Sequence, residues 1–348
     1  MKKHTFSNKN ACLITDEIIG KYIIGTTLDE GYLILADSLT LFVDARSYLG
    51  VKDTLEKIGI DAKLYSSIED IKNFLTDIGT EKLFIDFSKT TVKDYNVYKE
   101  FGFPIGDCEA VIKNICAIKE QGELENTIKA CEIAQNALYK ALENIRLGMT
   151  ELELRKIIED GILEFGGQGP SFETIVAFSK NSAIPHHKTG ETKLEEDMPI
   201  LIDMGARYNG FCSDITRTVF FGNPTKEFLS CYDAVLNANE LAEQNIKVGT
   251  TTDVADGFAR SLLKEKGLDT YFTHSLGHGI GLEIHEYPTL SFRKKDVLNE
   301  NTLFTIEPGI YLDGKFGIRI EDTVLLTKDG IKRLFTDSKE LKIIKNNN

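Results

Sequence analysis

The sequence predicts an α+β protein in two parts: an N-terminal α/β domain over residues 1–115 and a larger, internally duplicated domain over residues 116–348. Three observations carry this. A chain of 348 residues exceeds what one core ordinarily organises. The first third alternates short apolar runs with amphipathic stretches. The remainder repeats a helix–loop–helix pattern at a displacement of 101 residues, from Ile145 to Ile246.

In the N-terminal part, Leu33–Ala36 and Leu41–Val43 are apolar runs separated by Asp37-Ser38, a hairpin signal. Val51–Ile58 and Ile68–Ile78 read as amphipathic helices, and Leu83–Phe87 as a further strand. No catalytic cluster is visible here. Glu123–Ile145 then reads as a helix, because Leu124, Ile128, Cys131, Leu138, Leu142 and Ile145 recur on one face. The charged stretch Lys119–Glu125 before it is expected to be solvated, and the domain boundary is placed just ahead of it.

The duplication shows first in Ile145-Arg146-Leu147-Gly148-Met149-Thr150 and Ile246-Lys247-Val248-Gly249-Thr250-Thr251. Helical runs precede them, Glu123–Asn144 and Lys226–Asn245. Second helical runs follow, ending in ILEFGG and LLKEKG.

Composition narrows the partners. A net charge of -13 argues against polyanions, which need clustered Lys and Arg, so no nucleic-acid partner is expected. Apolar runs such as Tyr32–Ala36 and Pro199–Ile202 are far too short to span a membrane. The basic start MKKHTFSNKN has no apolar stretch behind it, so no signal peptide is expected. Cys12, Cys108, Cys116, Cys131, Cys212 and Cys231 are scattered without a CxxC pair, which suits reduced thiols in a cytoplasmic protein.

Three segments carry chemistry. In PILIDMGARYNGFCSDITRTVFFG, residues 199–222, Asn209-Gly210 is a two-residue hairpin signal. Such a loop sets Tyr208 opposite Phe211 and Asp203 opposite Thr216. Asp214 then shares a sheet face with Asp203, unless a bulge at Gly205 shifts the register. The plain alternative is that both aspartates are edge charges that prevent aggregation. In TLFTIEPGIYLDGKFGIRIEDTVLLT, residues 302–327, Glu307 and Glu321 lie symmetrically about Gly314 in the turn-like DGKFG. Both are embedded among apolar residues, where a carboxylate is costly unless paired or metal-bound; a salt bridge to Arg319 is the alternative. In HSLGHGIGLEIHEYP, residues 274–288, glycines flank His278 and would let the backbone approach a ligand closely. A phosphate loop is excluded, since no Gly-Lys-Ser/Thr follows. A buried histidine without a ligand role stays open.

The duplication relates these segments. His186 maps to His285, Asp203 to Glu307 and Asp214 to Glu321, at displacements of 99, 104 and 107 residues. His278 has no counterpart, with Ser179 near the equivalent place. Four carboxylates directed at one spot would raise each other's pKa and weaken the fold. Two divalent cations carry the compensating charge. Oxygen-rich ligation with one imidazole suits Mn(II), Fe(II) or Co(II), with Zn(II) also admissible; the lack of a Cys ligand argues against a structural zinc site.

The segments DMGARYNGFCSDITRT, HSLGHGIGLEIHE, TIEPGIY and GIRIED resemble those of the pita-bread-fold metallopeptidases. That family includes methionine aminopeptidase, Xaa-Pro aminopeptidase, Xaa-Pro dipeptidase (prolidase) and creatinase. The resemblance covers about residues 116–340, and the N-terminal part more weakly, which implies a creatinase-like N-terminal domain before a pita-bread catalytic domain. It implies that Asp203, Asp214, His278, Glu307 and Glu321 hold the two ions, with Asp214 and Glu321 bridging. All five are present, which disfavours creatinase-like members and the non-enzymatic histone-chaperone domains. NSAIPH resembles the stretch carrying a substrate-side histidine, His186; His285 matches the second. Glu307 is the expected general base. His274, Tyr311 and Arg319 match positions near the site, and Thr216 joins them as a supporting or substrate-binding residue. The expected activity is Xaa-Pro aminopeptidase; the alternatives are Xaa-Pro dipeptidase, then methionine aminopeptidase, then a non-catalytic peptide-binding relative. Mn(II) is the expected metal, short peptides with proline second the expected substrates, and a homodimer the expected assembly.

Overall fold

The computed structural model describes Phe6 and residues 9–25, 31–57 and 59–345. Most of the first eight residues, read above for a leader, and Ile58 lie outside these. The chain divides into two compact units, Met1–Cys116 and Ala117–Asn348. Among the described residues, no helix is long and apolar enough to cross a membrane.

The first unit runs β1 (Asn10–Ile14), α1 (Glu17–Ile24), β2 (Tyr32–Leu35), β3 (Leu39–Val43), α2 (Tyr48–Lys57) and β4 (Asp61–Leu64). It continues α3 (Ile68–Asp77), β5 (Lys82–Ile85), α4 (Val92–Lys99), β6 (Ile105–Asp107) and α5 (Glu109–Ala117). Its six strands are ordered β4-β3-β2-β1-β5-β6. The β2–β3 hairpin turns at Asp37, with Leu35 opposite Leu39. Alternation along the strands feeds two cores. Cys12, Ile14, Leu33 and Leu35 pack on one face with Ile23, Leu55 and Ile112. Leu13, Ile34, Phe42 and Leu83 pack on the other with Ile71, Leu75 and Tyr98.

The second unit opens with α6 (Gln121–Glu143), α7 (Glu151–Glu164), β7 (Ile175–Phe178) and β8 (Met198–Met204). The hairpin β9 (Arg207–Tyr208) and β10 (Phe211–Cys212) leads to β11 (Ile215–Phe221). The second half repeats the plan: α8 (Lys226–Asn245), α9 (Thr252–Glu265), β12 (Gly277–Gly279), β13 (Glu286–Leu290) and β14 (Leu303–Ile306). A hairpin of β15 (Gly309–Leu312) and β16 (Phe316–Arg319) leads to β17 (Glu321–Thr327), followed by β18 (Gly330–Arg333) and β19 (Ile343–Ile344). The main sheet is ordered β13-β12-β14-β17-β11-β8-β7, with β18 on β17 and β19 on β11. Helices α6 and α7 cover the β7–β8–β11 half, and α8 and α9 the β12–β14–β17 half.

The duplication extends to single hydrogen bonds. Gly148 (φ 78) and Gly249 (φ 90) end matching loops in the left-handed region. The Gly148 amide donates to the Leu194 carbonyl, and the Gly249 amide to that of Leu298. Thr150 then bridges Lys193, as Thr251 bridges Val297.

Two local expectations need correcting. Lys119 is not solvated: its Nζ lies 2.8 Å from Glu286 Oε2, with the two side chains 0% and 5% exposed. The glycines beside His278 make room for neighbouring strands rather than for a ligand. A Cβ on Gly277 would stand 1.9 Å from the Thr305 carbonyl oxygen, and one on Gly279 2.3 Å from that of Tyr287.

The buried Lys119–Glu286 pair yields a prediction. Lys119→Met removes the ammonium from beside the buried Glu286 carboxylate and should cost about 3–5 kcal/mol in urea unfolding. Adding Glu286→Gln should restore most of that loss. Equal midpoints for parent and single variant would refute the assignment.

Candidate metal centre

The site forms where the two halves of the sheet meet. Asn209 (φ 48) and Gly210 (φ 84) make the tight turn of the first hairpin, with Tyr208 opposite Phe211. The same register continues into β8 and β11, where Asp203 faces Thr216. Gly205 interrupts the ladder without shifting it, because the Ser213 carbonyl occupies the place of its Cβ. In the second half, the β14–β17 ladder and the β15–β16 hairpin share one register about Gly314. Glu307 and Glu321 therefore hold opposed positions in it. The halves join through β11 and β17, with Thr216 opposite Glu321.

Asp214, His278 and Glu321 each offer one ligand atom, all within 4.8 Å of one another. Asp214 and Glu321 are buried. His278 Nε2 lies 3.6 Å from Asp214 Oδ2 and 3.5 Å from Glu307 Oε1. Its other nitrogen, Nδ1, lies 3.0 Å from the Gly279 carbonyl. A carbonyl only accepts, so Nδ1 carries the hydrogen and Nε2 presents its lone pair to the acidic cluster. Burial first and His285 second push His278 down to about 4, which keeps it neutral. Asp203 stands apart from the group of three: its Oδ2 accepts from Arg319 Nη2 at 2.5 Å. The salt-bridge partner of Arg319 is thus Asp203, not either glutamate.

This donor set fits divalent cations. Oδ1 of Asp203 and Oδ1 of Asp214 are buried without a hydrogen-bond partner, a costly arrangement that a cation relieves. Burial and neighbouring carboxylates push Asp214, Glu307 and Glu321 above the usual carboxylate range. Four carboxylates and one imidazole match the preference of hard or borderline divalent ions.

Around this cluster runs a directed chain. Arg319 Nη1 donates to Tyr311 Oη at 2.7 Å. Tyr311 Oη lies 2.9 Å from His274 Nε2, and His274 Nδ1 lies 2.8 Å from the Ser275 carbonyl. The carbonyl fixes the hydrogen on Nδ1, so Tyr311 donates to Nε2. Burial, then Arg319, lowers His274 to about 3; burial raises Tyr311 to about 12. Arg319 Nε also donates to Thr216 Oγ1, which donates to Glu321 Oε2 at 2.5 Å. His186 and His285 are exposed. The His285 ring stands edge-on to His278 at 4.4 Å between centroids. Partial burial of its ring first, and His186 second, lower the His285 pKa.

The register corrects one equivalence. Asp203 lies opposite Ile175, and the Glu307 amide donates to the Leu276 carbonyl. Two residues further along each outer strand come Ala177 and His278. The counterpart of His278 is therefore Ala177, not Ser179. Sequence reading also missed Glu151, a buried carboxylate that accepts from Phe178 N, Asn181 Nδ2 and Gly190 N and contacts His187 Nε2. It ties down the segment that carries His186. The capping box beside it joins Thr150 to Glu153 and marks the start of α7, but gave no signal for Glu151 itself.

Residues 125–328 match the sequence model of Metallopeptidase family M24. The chain belongs to this family. A protein named Xaa-Pro dipeptidase from Pyrococcus furiosus is 38% identical over 322 residues, covering 92% of this chain and 91% of its own. The solved structure titled Xaa-Pro dipeptidase from Bacillus anthracis superposes with a TM-score of 0.91 at 32% identity, over 96% of this chain and 95% of that one. An X-Pro aminopeptidase structure from Thermotoga maritima reaches 0.86 at 33% identity, over 96% and 97%. As an M24 chain of α+β architecture, the protein carries the pita-bread fold that the motifs implied, and the family implies divalent metal ions.

Binding of cations to the folded chain alone must stabilise it. Chelated protein supplied with Mn(II) at about 100 times its dissociation constant should gain about 2.7 kcal/mol in urea unfolding. An unmoved midpoint in a sample shown to bind Mn(II) would count against this centre.

Proposed function

We propose that the protein is a Xaa-Pro dipeptidase (prolidase) using two divalent ions, with Mn(II) as the metal that the donor set suits. The observation that carries this reading is near-full-length similarity to proteins named Xaa-Pro dipeptidase, joined to an acidic cluster with a lone imidazole. That similarity favours the dipeptidase over the aminopeptidase expected from the motifs; the Thermotoga maritima neighbour keeps the aminopeptidase as the second reading.

Asp203, Asp214, His278, Glu307 and Glu321 would hold the ions. Asp214 and Glu321, the buried pair at the junction of the halves, would touch both. When bound, the ions supply Lewis-acid polarisation of the scissile carbonyl and lower the pKa of the hydrolytic water. Glu307 lies beside His278 and accepts from Thr305 Oγ1 at 3.4 Å, leaving it open to take the proton of the attacking water. It then returns that proton to the leaving proline nitrogen. His186 and His285, exposed near the cluster, donate hydrogen bonds to the substrate. The scissile nitrogen of an Xaa-Pro bond has no N–H, so the site needs no acceptor there. Arg319 orients Asp203 directly and Glu321 through Thr216, and is itself held by Tyr311. The N-terminal unit takes the part of a creatinase-like domain spanning residues 1–115, with catalysis over residues 116–348, in a cytoplasmic homodimer.

Under Mn(II), Ala-Pro should be cleaved with a higher kcat/KM than Ala-Pro-Ala, and Met-Ala-Ser left intact. Preference for the tripeptide would return the aminopeptidase reading. Protein that binds two ions yet spares every Xaa-Pro substrate would sink both. Glu321→Ala should lose metal content by elemental analysis together with nearly all turnover; full activity in that variant would refute the bridging role.

A further inference from the structure

The β14–β17 ladder opens where the two glutamates stand. Pairing runs from Leu303 opposite Leu325 to Ile306 opposite Asp322. It resumes, in the same register, at Gly309 opposite Arg319. Glu307-Pro308 and Ile320-Glu321 lie in the opening. Pro308 has no N–H to give, and the Glu307 amide is committed to the Leu276 carbonyl on the other side. Across the opening the Ile320 amide reaches the Pro308 carbonyl only at 3.4 Å, a long bond that holds the two glutamate-bearing backbones weakly.

A side chain from α8 spans the opening. Asn239 is fully buried, and its Nδ2 lies 2.9 Å from the Ile306 carbonyl oxygen and 3.0 Å from that of Ile320. These carbonyls belong to the residues immediately before Glu307 and Glu321. An amide nitrogen has two hydrogens, and both are used here. Lys339 Nζ lies 2.6 Å from Asn239 Oδ1 and 2.7 Å from Glu243 Oε2. An ammonium only donates, so the amide oxygen must face it and the NH2 must face the carbonyls.

We propose that Asn239, oriented by Lys339, is a positioning residue that fixes the spacing of Glu307 and Glu321 and so sets the affinity and coordination of the bound ions. The inference rests on these two glutamates being metal ligands. Asn239 touches neither metal nor substrate; it acts through the two backbones. Aspartate at this place keeps the volume and the contact with Lys339 but offers no donor to either carbonyl.

The test compares the parent with Asn239→Asp and with the double variant Lys339→Met/Glu243→Gln. The double variant removes the ammonium and the carboxylate charge together, leaving neither unpaired. Co(II) affinity is read by equilibrium dialysis and coordination by the visible Co(II) spectrum, beside urea unfolding of the metal-free chains. Loss of an outer support of this kind should weaken Co(II) binding about 10–100-fold, alter the spectrum, and lower kcat with KM little changed. A lower urea midpoint with parental Co(II) affinity and spectrum would mean a merely structural role and overturn the proposal. Should Asn239→Asp fail to fold, the double variant is judged by the same two readouts. Co(II) binding is measured without substrate, so absence of Xaa-Pro cleavage by the parent would overturn the functional reading alone.

Discussion

Burial of several carboxylates within a few ångströms of one another is the constraint on which the second unit depends. Two like unit charges about 4 Å apart repel by about 4 kcal/mol at an effective dielectric of about 20. Asp214, Glu307 and Glu321 feel that repulsion on top of desolvation, and both raise their pKa values. Among the described residues, Arg319 is the cation set against the cluster, and its ion pair goes to Asp203. The other nearby cation, Arg217, is spent on Asp322 and Asp337 and on the carbonyls of Thr216 and Glu321. What remains is relieved by protonation, as the raised pKa values express, or by cations from outside the polypeptide. The stability of the site is therefore linked to the ions that complete it.

The duplication supplies the carboxylates as two pairs, and the seam between β11 and β17 brings the pairs together. That seam is short: Ile215 pairs with Asp322 and Thr216 with Glu321. Side chains lengthen it. Thr323 Oγ1 accepts from the Asp214 amide and donates to the Asp214 carbonyl. Arg217 caps the backbone of the same junction from the face opposite the site. The halves differ at one decisive place. Ala177 on β7 occupies the position that His278 holds on β12, so a single imidazole enters from one side. An otherwise two-fold acidic site thereby acquires a direction.

Local signals made much of this legible. Asn209-Gly210 and the turn at Gly314 determine register by backbone chemistry within a few residues, and register decides which carboxylates face each other. The repeat was visible because its loops need glycine in a left-handed conformation at matching places. Illegible features share a different property: their partners are remote in sequence. Lys119 looks solvated until Glu286, 167 residues away, arrives beside it. Gly277 and Gly279 look like a ligand cradle until β14 and β13 close against them. Lys339 and Asn239 are 100 residues apart, and neither has a periodicity or motif that announces the contact. Dipeptidase and aminopeptidase share the same motifs here, so the choice between them rests on similarity over the whole chain rather than on site residues.

One further regularity was present in the sequence and carries physical meaning. Three of the four carboxylates have a threonine two residues away on their own strand: Asp214 with Thr216, Glu307 with Thr305, Glu321 with Thr323. A spacing of two returns a side chain to the same sheet face. A hydroxyl both donates and accepts, so each threonine can couple a carboxylate-bearing segment to a neighbour. Thr216 accepts from Arg319 and donates to Glu321. Thr305 accepts from the His278 amide and donates to Glu307. Thr323 links the Asp214 backbone to β17. Such groups orient anions without adding charge to a cluster that already has too much, and the β-branched threonine suits a strand. Asp203 lacks a threonine at this spacing, with Leu201 and Gly205 on either side, and it is the carboxylate that Arg319 holds instead. The hydroxyls thus orient two of the carboxylates, Glu307 and Glu321, while Thr323 fixes the backbone of Asp214 and a cation holds Asp203, on the half of the repeat where the imidazole is missing.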